Sequence, residues 1–252
     1  VEEAKVMLSQ GIREIQILSQ DTTRYGTDLY GEARLIDMLE AIEAIPGDFT
    51  YRVYYLYPDI LTLSHLERLS KLKKMIPYFD IPFQHASEKI LKLMWRHYDR
   101  AHIDSFIEYI REHFPNSFIR TAFIVGFPGE TDEDFQILMD FVEKYRFESV
   151  GIFQYHDEPL AASSKLPNKV DEEIAKNRIN TLNPLLERIY DEKLEARKWK
   201  KQHGYIMEIR EQSLIIRPEL AAPEVDDYDE VDMKNIISKW ELDIGKYVEY
   251  TL

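Results

Sequence analysis

The chain has 252 residues, 44% of them hydrophobic, with 16 Tyr and 12 Phe, enough for one large core or a large domain beside a small one. Its 32 basic and 46 acidic residues give a formal charge of −14, which disfavours direct nucleic-acid binding and favours a basic partner. There is no cysteine, which excludes disulfides, thiolate metal sites and Cys nucleophiles within these residues, and no apolar run approaches the roughly 20 residues that span a bilayer.

The N-terminus has neither a basic nor an apolar leader segment, so the expectation is a soluble, cytoplasmic protein without a membrane partner. The chain starts without Met, in an amphipathic helical pattern with no strand before it, and we expect an upstream portion. Ala4, Val6, Met7 and Leu8 suit a short helix ended by Gly11. Ile15 to Asp21 reads as a strand running into polar residues, and Asp21 to Gly26 as a loop.

Leu35, Ile36, Met38, Leu39, Ile42 and Ile45 predict a helix stopping before Pro46-Gly47, and Tyr51 to Leu56 a strand. A helix with Leu63, Leu66, Leu69 and Leu72 leads to a short strand, Tyr78 to Phe83, ending at Gln84-His85. Ser87 is placed to cap a helix holding Ile90, Leu91 and Met94, and a second helical run covers about 102–113. Phe118 to Val125 is the next strand, Phe135, Leu138, Met139, Phe141 and Val142 mark the helix after it, and Val150 to His156 closes the series.

Strand and helix alternate five times over connections that demand parallel pairing, which makes an α/β barrel or a doubly wound sheet. Each strand ends on a polar or glycine-rich cluster, and in both architectures that edge is where ligands sit. The clusters are Ser19, Gln20 and Asp21; Tyr57 and Asp59; Gln84 and His85; Gly126 to Glu130; and Gln154, Tyr155 and His156.

The most informative stretch runs from Phe123 to Phe135: a β-branched run broken by Gly126, the turn Pro128-Gly129, then Thr131 with Asp134 three residues later. It reads as strand, tight turn and capped helix start. Such a loop could offer backbone N–H groups to a ligand approaching Gly126 and Gly129, or the glycines could serve the turn and Thr131 the cap.

His85 is either a hydrogen-bonded structural residue or a catalytic one, and His156 is a weaker candidate. Asp21 and Glu130 could act in acid-base chemistry or accept hydrogen bonds from an ammonium or ribose hydroxyl; equally, Asp21 starts a turn and Glu130 favours a helix N-terminus. No nucleotide P-loop, dinucleotide glycine fingerprint, Ser nucleophile elbow or His-Glu-x-x-His occurs.

A long helical pattern from about 171 to 203 packs Ile174, Ile179, Leu182, Leu186, Ile189 and Leu194, with a kink expected near Pro184. It ends in Arg197-Lys198-Trp199-Lys200-Lys201, which could form a nucleic-acid patch or complement the helix dipole. After Gly204 short alternating runs suit a small antiparallel β module carrying twelve acidic and five basic residues.

Gln20 to Gly31, Asp80 to Ser87, Leu91 to Met94 and Arg120 to Thr131 stand in an order and spacing that resembles the radical S-adenosylmethionine methylthiotransferases over essentially the whole chain. Gln20-Asp21-Thr22-Thr23-Arg24-Tyr25-Gly26 and Ala222-Pro223-Glu224-Val225-Asp226-Asp227 resemble the branch that modifies an aspartate of small-subunit ribosomal protein S-twelve, rather than the transfer-RNA-modifying branch. An acidic C-terminal module agrees with a basic protein substrate.

The resemblance implies a partial six-stranded radical-enzyme barrel over 1–203, with strands two to six present, and a TRAM-like β module over 204–252. It implies S-adenosylmethionine as cofactor, an external electron donor, and 4Fe-4S clusters held by upstream Cys-x-x-x-Cys-x-x-Cys and N-terminal-domain ligands that this chain does not contain. No metal ligands are assigned within it.

By the same resemblance Gln20 and Asp21 would face the methionyl part of the cofactor, and Gln84 and His85 its ribose region. Gly126, Phe127, Gly129 and Glu130, with Gln154 and Tyr155, would face the adenine side. Two departures are visible: Glu158-Pro159-Leu160 replaces a usual Glu-Gly-Thr, and Trp95 stands where relatives mostly carry a small residue. The rival readings are a transfer-RNA adenosine methylthiotransferase, which predicts a basic TRAM face, and a non-catalytic acidic module that docks a basic ribosomal protein.

Overall fold

A computed structural model describes residues 1–238 and 242–252. The backbone divides into two compact units, 1–187 and 188–252. In the first, α1 (Glu2–Ser9) precedes β1 (Glu14–Ile17), α2 (Thr27–Tyr30), α3 (Leu35–Glu43), β2 (Thr50–Val53), α4 (Leu63–Leu69) and β3 (Met75–Asp80). Then come α5 (Glu88–Leu93), α6 (Arg100–His113), β4 (Phe118–Val125), α7 (Asp132–Tyr145), β5 (Ser149–Gln154) and α8 (Glu172–Arg197), which runs on into the second unit.

The five strands form one parallel sheet in the order β1-β2-β3-β4-β5. Spatial order follows chain order without reversal, so the sheet is singly wound, as in a barrel, and lacks the switch point of a doubly wound sheet. The chain thus forms a singly wound α/β sheet with a separate antiparallel sheet after it.

Register separates the two faces, because paired residues of neighbouring strands point the same way. On β4, Ile119, Thr121, Phe123 and Val125 are buried while the residues between them are half-buried. Phe123 meets Phe141 of α7 at 6.0 Å and Phe79 meets Phe114 at 4.8 Å, both edge to face. Each such ring contributes about 1.5–3 kcal/mol by leaving water.

The other face carries polar groups. Arg52, wholly buried, pairs with Glu14 at 3.2 Å and lies 4.9 Å over the Tyr78 ring. Asp80 and Arg120, register partners on this face, approach to 4.0 Å.

Several expected bounds move. β2 ends at Val53 rather than Leu56, because Tyr55 adopts φ 54° and turns the chain out of the ladder. β3 begins at Met75 and stops before Pro82, which cannot donate to a ladder. Ser87 stands at the N-cap of α5 without capping it; its hydroxyl donates to Asp134 Oδ1 at 2.6 Å instead.

Helix α8 continues through Pro184, and its buried residues include Ala175, Arg178, Leu182 and Ile189, while Ile174 is exposed. The true stripe therefore contains an arginine, which an apolar-only count passes over.

In the second unit β6 (Gln202–Ile209), β7 (Ser213–Pro218), β8 (Asp229–Asp232) and β9 (Tyr247–Tyr250) pair antiparallel in the order β8-β7-β6-β9. Ile206, Leu214, Ile216, Val231, Val248 and Tyr250 fill its core. Gly204 is required there, since a Cβ would stand 2.4 Å from the Arg217 carbonyl oxygen. In the basic run before it, Arg197 pairs with Asp229, Lys198 with Glu195 and Lys201 with Glu249.

Candidate functional site

The strand-end loops are stitched to one another along the C-terminal edge of the parallel sheet. Thr22 N–H donates to the Tyr55 carbonyl at 3.2 Å, and Leu56 N–H to the Asp80 carbonyl at 2.8 Å. Tyr55 N–H donates to Asp80 Oδ2 at 3.1 Å. Gln84 bridges β4 through Gln84 N–H to Ala122 O and Ile124 N–H to Gln84 O, at 2.9 and 2.8 Å, and Tyr155 N–H donates to Val125 O at 2.8 Å. All five polar clusters therefore belong to one edge.

Within that edge the β4–α7 loop is the most tightly held part. Glu130 is buried, and its Oε2 accepts from Gly126 N–H and lies 3.2 Å from Arg178 Nη1. Its Oε1 is 3.4 Å from His85 Nε2. The other ring nitrogen, Nδ1, accepts from Ser87 N–H at 2.9 Å, so the His85 proton sits on Nε2 and points to Glu130. Arg178 also reaches Asp132 at 2.8 Å.

A second carboxylate anchors the helix start. Asp134 Oδ2 accepts from Thr131 N–H at 2.9 Å, and Thr131 closes a capping box on α7. Burial alone would raise the Asp134 carboxyl, but hydrogen bonds from Lys89, Ser87 and Thr131 outweigh it and hold the group down at about 2.

Three of the loop's N–H groups are consumed inside the chain: Gly126 by Glu130, Gly129 by the Asn168 carbonyl at 2.8 Å, and Glu130 by the Phe127 carbonyl at 2.9 Å. Nor is the space at Gly126 open to a ligand. At φ 82° a Cβ would stand 2.6 Å from Ala175 Cβ, so the glycine admits α8 rather than a small molecule. Gly129, at φ 89°, faces Leu93 of α5, with 3.1 Å left for a Cβ.

The remaining predicted residues differ in their freedom. Phe127 is buried and meets Tyr155 edge to face at 5.1 Å. The Tyr155 hydroxyl lies 3.1 Å from Ser163 Oγ. Asp21, half-buried, accepts from Thr23 and from Arg24 Nε at 3.0 Å. Gln84 donates to the Pro82 carbonyl at 3.3 Å.

Gln20, exposed after β1, and Gln154, half-buried at the end of β5, have side-chain amides without a hydrogen-bond partner among the described residues. His156 is exposed. Gln84, His85, Gly126, Phe127, Glu130, Gln154 and Tyr155 thus gather on β3–β5, while Gln20 and Asp21 lie in the β1 loop.

Sequence reasoning missed Arg178; it named Asp134 only for the helix start and Asp80 only as the first residue of the run 80–87. The one available signal for Arg178 was its place at i+3 from Ala175 and i−4 from Leu182, a charge set into a buried stripe.

Residues 1–142 match the Radical SAM superfamily. The chain belongs to this superfamily. It is 42% identical over 224 residues to the ribosomal protein uS12 methylthiotransferase RimO of Pseudothermotoga lettingae, covering 89% of this chain and 52% of that protein. With the RimO proteins of Thermosipho africanus and Carboxydothermus hydrogenoformans the identities are 43% and 37%, covering 90% and 96% of this chain and 53% and 56% of theirs.

The chain therefore spans about half the length of the curated relatives it matches. Among solved structures, the radical SAM coproporphyrinogen III oxidase HemN from Escherichia coli superposes with a TM-score of 0.50 at 19% identity, over 62% of this chain and 36% of that one, a likeness of fold.

The radical SAM cofactors divide on chemistry. With no cysteine in 252 residues, and no group of three or more His, Cys, Asp or Glu placed to hold a metal ion among the described residues, this chain's own side chains do not fit an iron–sulfur cluster. S-adenosylmethionine fits better: the unpaired amides of Gln20 and Gln154 and the half-buried Tyr155 suit its polar ends and its base. No described helix is long and apolar enough to cross a membrane.

Proposed function

We propose that this chain is the cofactor- and substrate-binding body of a methylthiotransferase that modifies the β-carbon of an aspartate in the small-subunit ribosomal protein uS12, with 1–203 as the barrel portion and 204–252 as a TRAM-like module. The observation that carries the reading is the 42% identity maintained over 89% of the chain with an enzyme of that name.

Gln20, Gln84, Gln154, Tyr155 and the backbone about Phe127 would hold S-adenosylmethionine, with Asp21 beside its amino-acid end. Bound there, the cofactor supplies hydrogen abstraction from an unactivated carbon and the methyl group. His85, Gly126, Gly129 and Glu130 would act by fixing the loop against which the cofactor rests, and Arg178 by holding Glu130. The chain's own contribution is orientation and exclusion of water.

The test is anaerobic incubation of the full protein, with its clusters reconstituted, with S-adenosylmethionine, a strong reductant and purified uS12. One methylthio group on a single aspartate, found by peptide mass spectrometry, is the expected result. Unmodified uS12 alongside methylthiolated transfer-RNA adenosine would overturn it.

A further inference from the structure

Trp95 is 75% exposed and has φ 57°. It follows α5 at the position where a helix turns into the left-handed region: Trp95 N–H donates to Lys92 O at 3.1 Å and Arg96 N–H to Leu91 O at 2.9 Å, the two bonds of a Schellman ending. Glycine is the residue that occupies this place without strain; a bulky L-residue there is an outlier. Here the largest side chain occupies it and buries little of itself, so packing does not repay the strain.

Its placement gives the strain a use. The segment after Trp95 is fastened to the β2 loop: His97 N–H donates to Asp59 Oδ1 at 2.8 Å, and the Arg96 guanidinium lies 5.3 Å over the Tyr57 ring. On its other side Leu93 packs against Gly129 of the β4 loop. The indole is thus mounted on the rim of the candidate site, between two of its loops. Leu18, Tyr55 and Phe153, at or just beyond the ends of β1, β2 and β5, are further exposed apolar side chains of that edge.

Resting on the proposed function, we infer that Trp95 is a substrate-specificity residue: its exposed indole face receives a lysine or arginine side chain of the polypeptide substrate beside the reacting aspartate. The electrostatics select that occupant. Residues 1–187 carry 31 acidic and 21 basic side chains, and the cations flanking Trp95, Lys92 and Arg96, each lie 3.9 Å from a carboxylate, of Glu88 and of Asp59, while Asp99 is exposed. A cation approaching this rim meets an attractive field and then a π face, the pairing that indole makes best.

The experiment is calorimetric titration of the protein with uS12, comparing the wild type with Trp95→Gly and Trp95→Tyr, together with thermal melting. Trp95→Gly should melt at or above the wild-type temperature, since it relieves the backbone, yet bind uS12 about ten-fold more weakly. Trp95→Tyr, which keeps a π face, should stay within about three-fold. In turnover the Gly variant should raise KM with kcat unchanged.

Equal affinity of wild type and Trp95→Gly for uS12, or no binding by either, overturns the inference, as does weakened binding of transfer RNA with uS12 unaffected. If Trp95→Gly loses affinity while no methylthio group is transferred by the wild type, the Trp95 seat stands and the catalytic reading falls.

Discussion

The loops after β1 and β4 lie on one sheet edge with β2 and β3 between them, and both begin as a short polar or glycine-bearing cluster after an apolar strand, yet they are built in opposite ways. The β4 loop draws its partners from afar: Glu130 meets His85 from 45 residues before it and Arg178 from 48 residues after it, all out of water. The β1 loop is held largely by its neighbours in sequence, Asp21 by Thr23 and Arg24, with Gln20 facing solvent. Two carboxylates at strand ends are therefore held differently: Glu130 by buried partners far along the chain, Asp21 by residues of its own loop.

Removing Glu130 breaks that contrast hardest. Glu130→Ala leaves the Arg178 guanidinium buried with Asp132 as its remaining carboxylate and Gly126 N–H unpaired, and should cost about 3–5 kcal/mol in urea unfolding. Glu130→Gln, which keeps the acceptor, should lose less. A loss below about 1 kcal/mol for the Ala variant would place Glu130 with Asp21 among the dispensable carboxylates.

Gly126→Ala attacks the same loop through volume. Its Cβ would meet Ala175 at 2.6 Å in a backbone conformation that L-residues avoid, so about 2–4 kcal/mol of destabilisation is expected from overpacking and strain together. Pairing it with Ala175→Gly opens the space and should recover part of the loss, which thermal melting of the double variant measures.

Asp134 gives the comparison a pH axis. Its folded value of about 2 lies below the ordinary carboxyl value, so it contributes stability that is fully present above about pH 4 and is lost as pH falls from there towards 2. The contribution is about 2 kcal/mol, and Asp134→Asn should flatten that part of the stability curve.

The smallest expected effect belongs to the β1 loop. Asp21→Ala should change stability by less than about 1 kcal/mol, because its partner Arg24 is more than half exposed. If Asp21 faces the cofactor, the same variant weakens S-adenosylmethionine binding by calorimetry while melting unchanged. Unaltered affinity removes Asp21 from the site and leaves Gln20 as the β1 contribution.

What was legible in the sequence was local. Phe118 to Val125 ends in an apolar β-branched run, Gly126 and Pro128-Gly129 break it, and Thr131 with Asp134 opens a helix; the strand, turn and capping box all stand where that reading put them. β8 escaped because Asp229-Glu230-Val231-Asp232 has the composition of a solvated loop, and only its ladder with β7 makes it a strand.

By itself the sequence determined five strand–helix repeats, a polar end to each strand and a separate β-rich tail, because hydrophobic period, turn residues and caps act over a few residues. The tertiary structure alone decided that the strands pair in chain order, that Ala175 closes the space over Gly126, and that Arg178 and His85 divide the oxygens of Glu130. Those are contacts across dozens of residues, set by which faces must be buried together, and no local pattern encodes them.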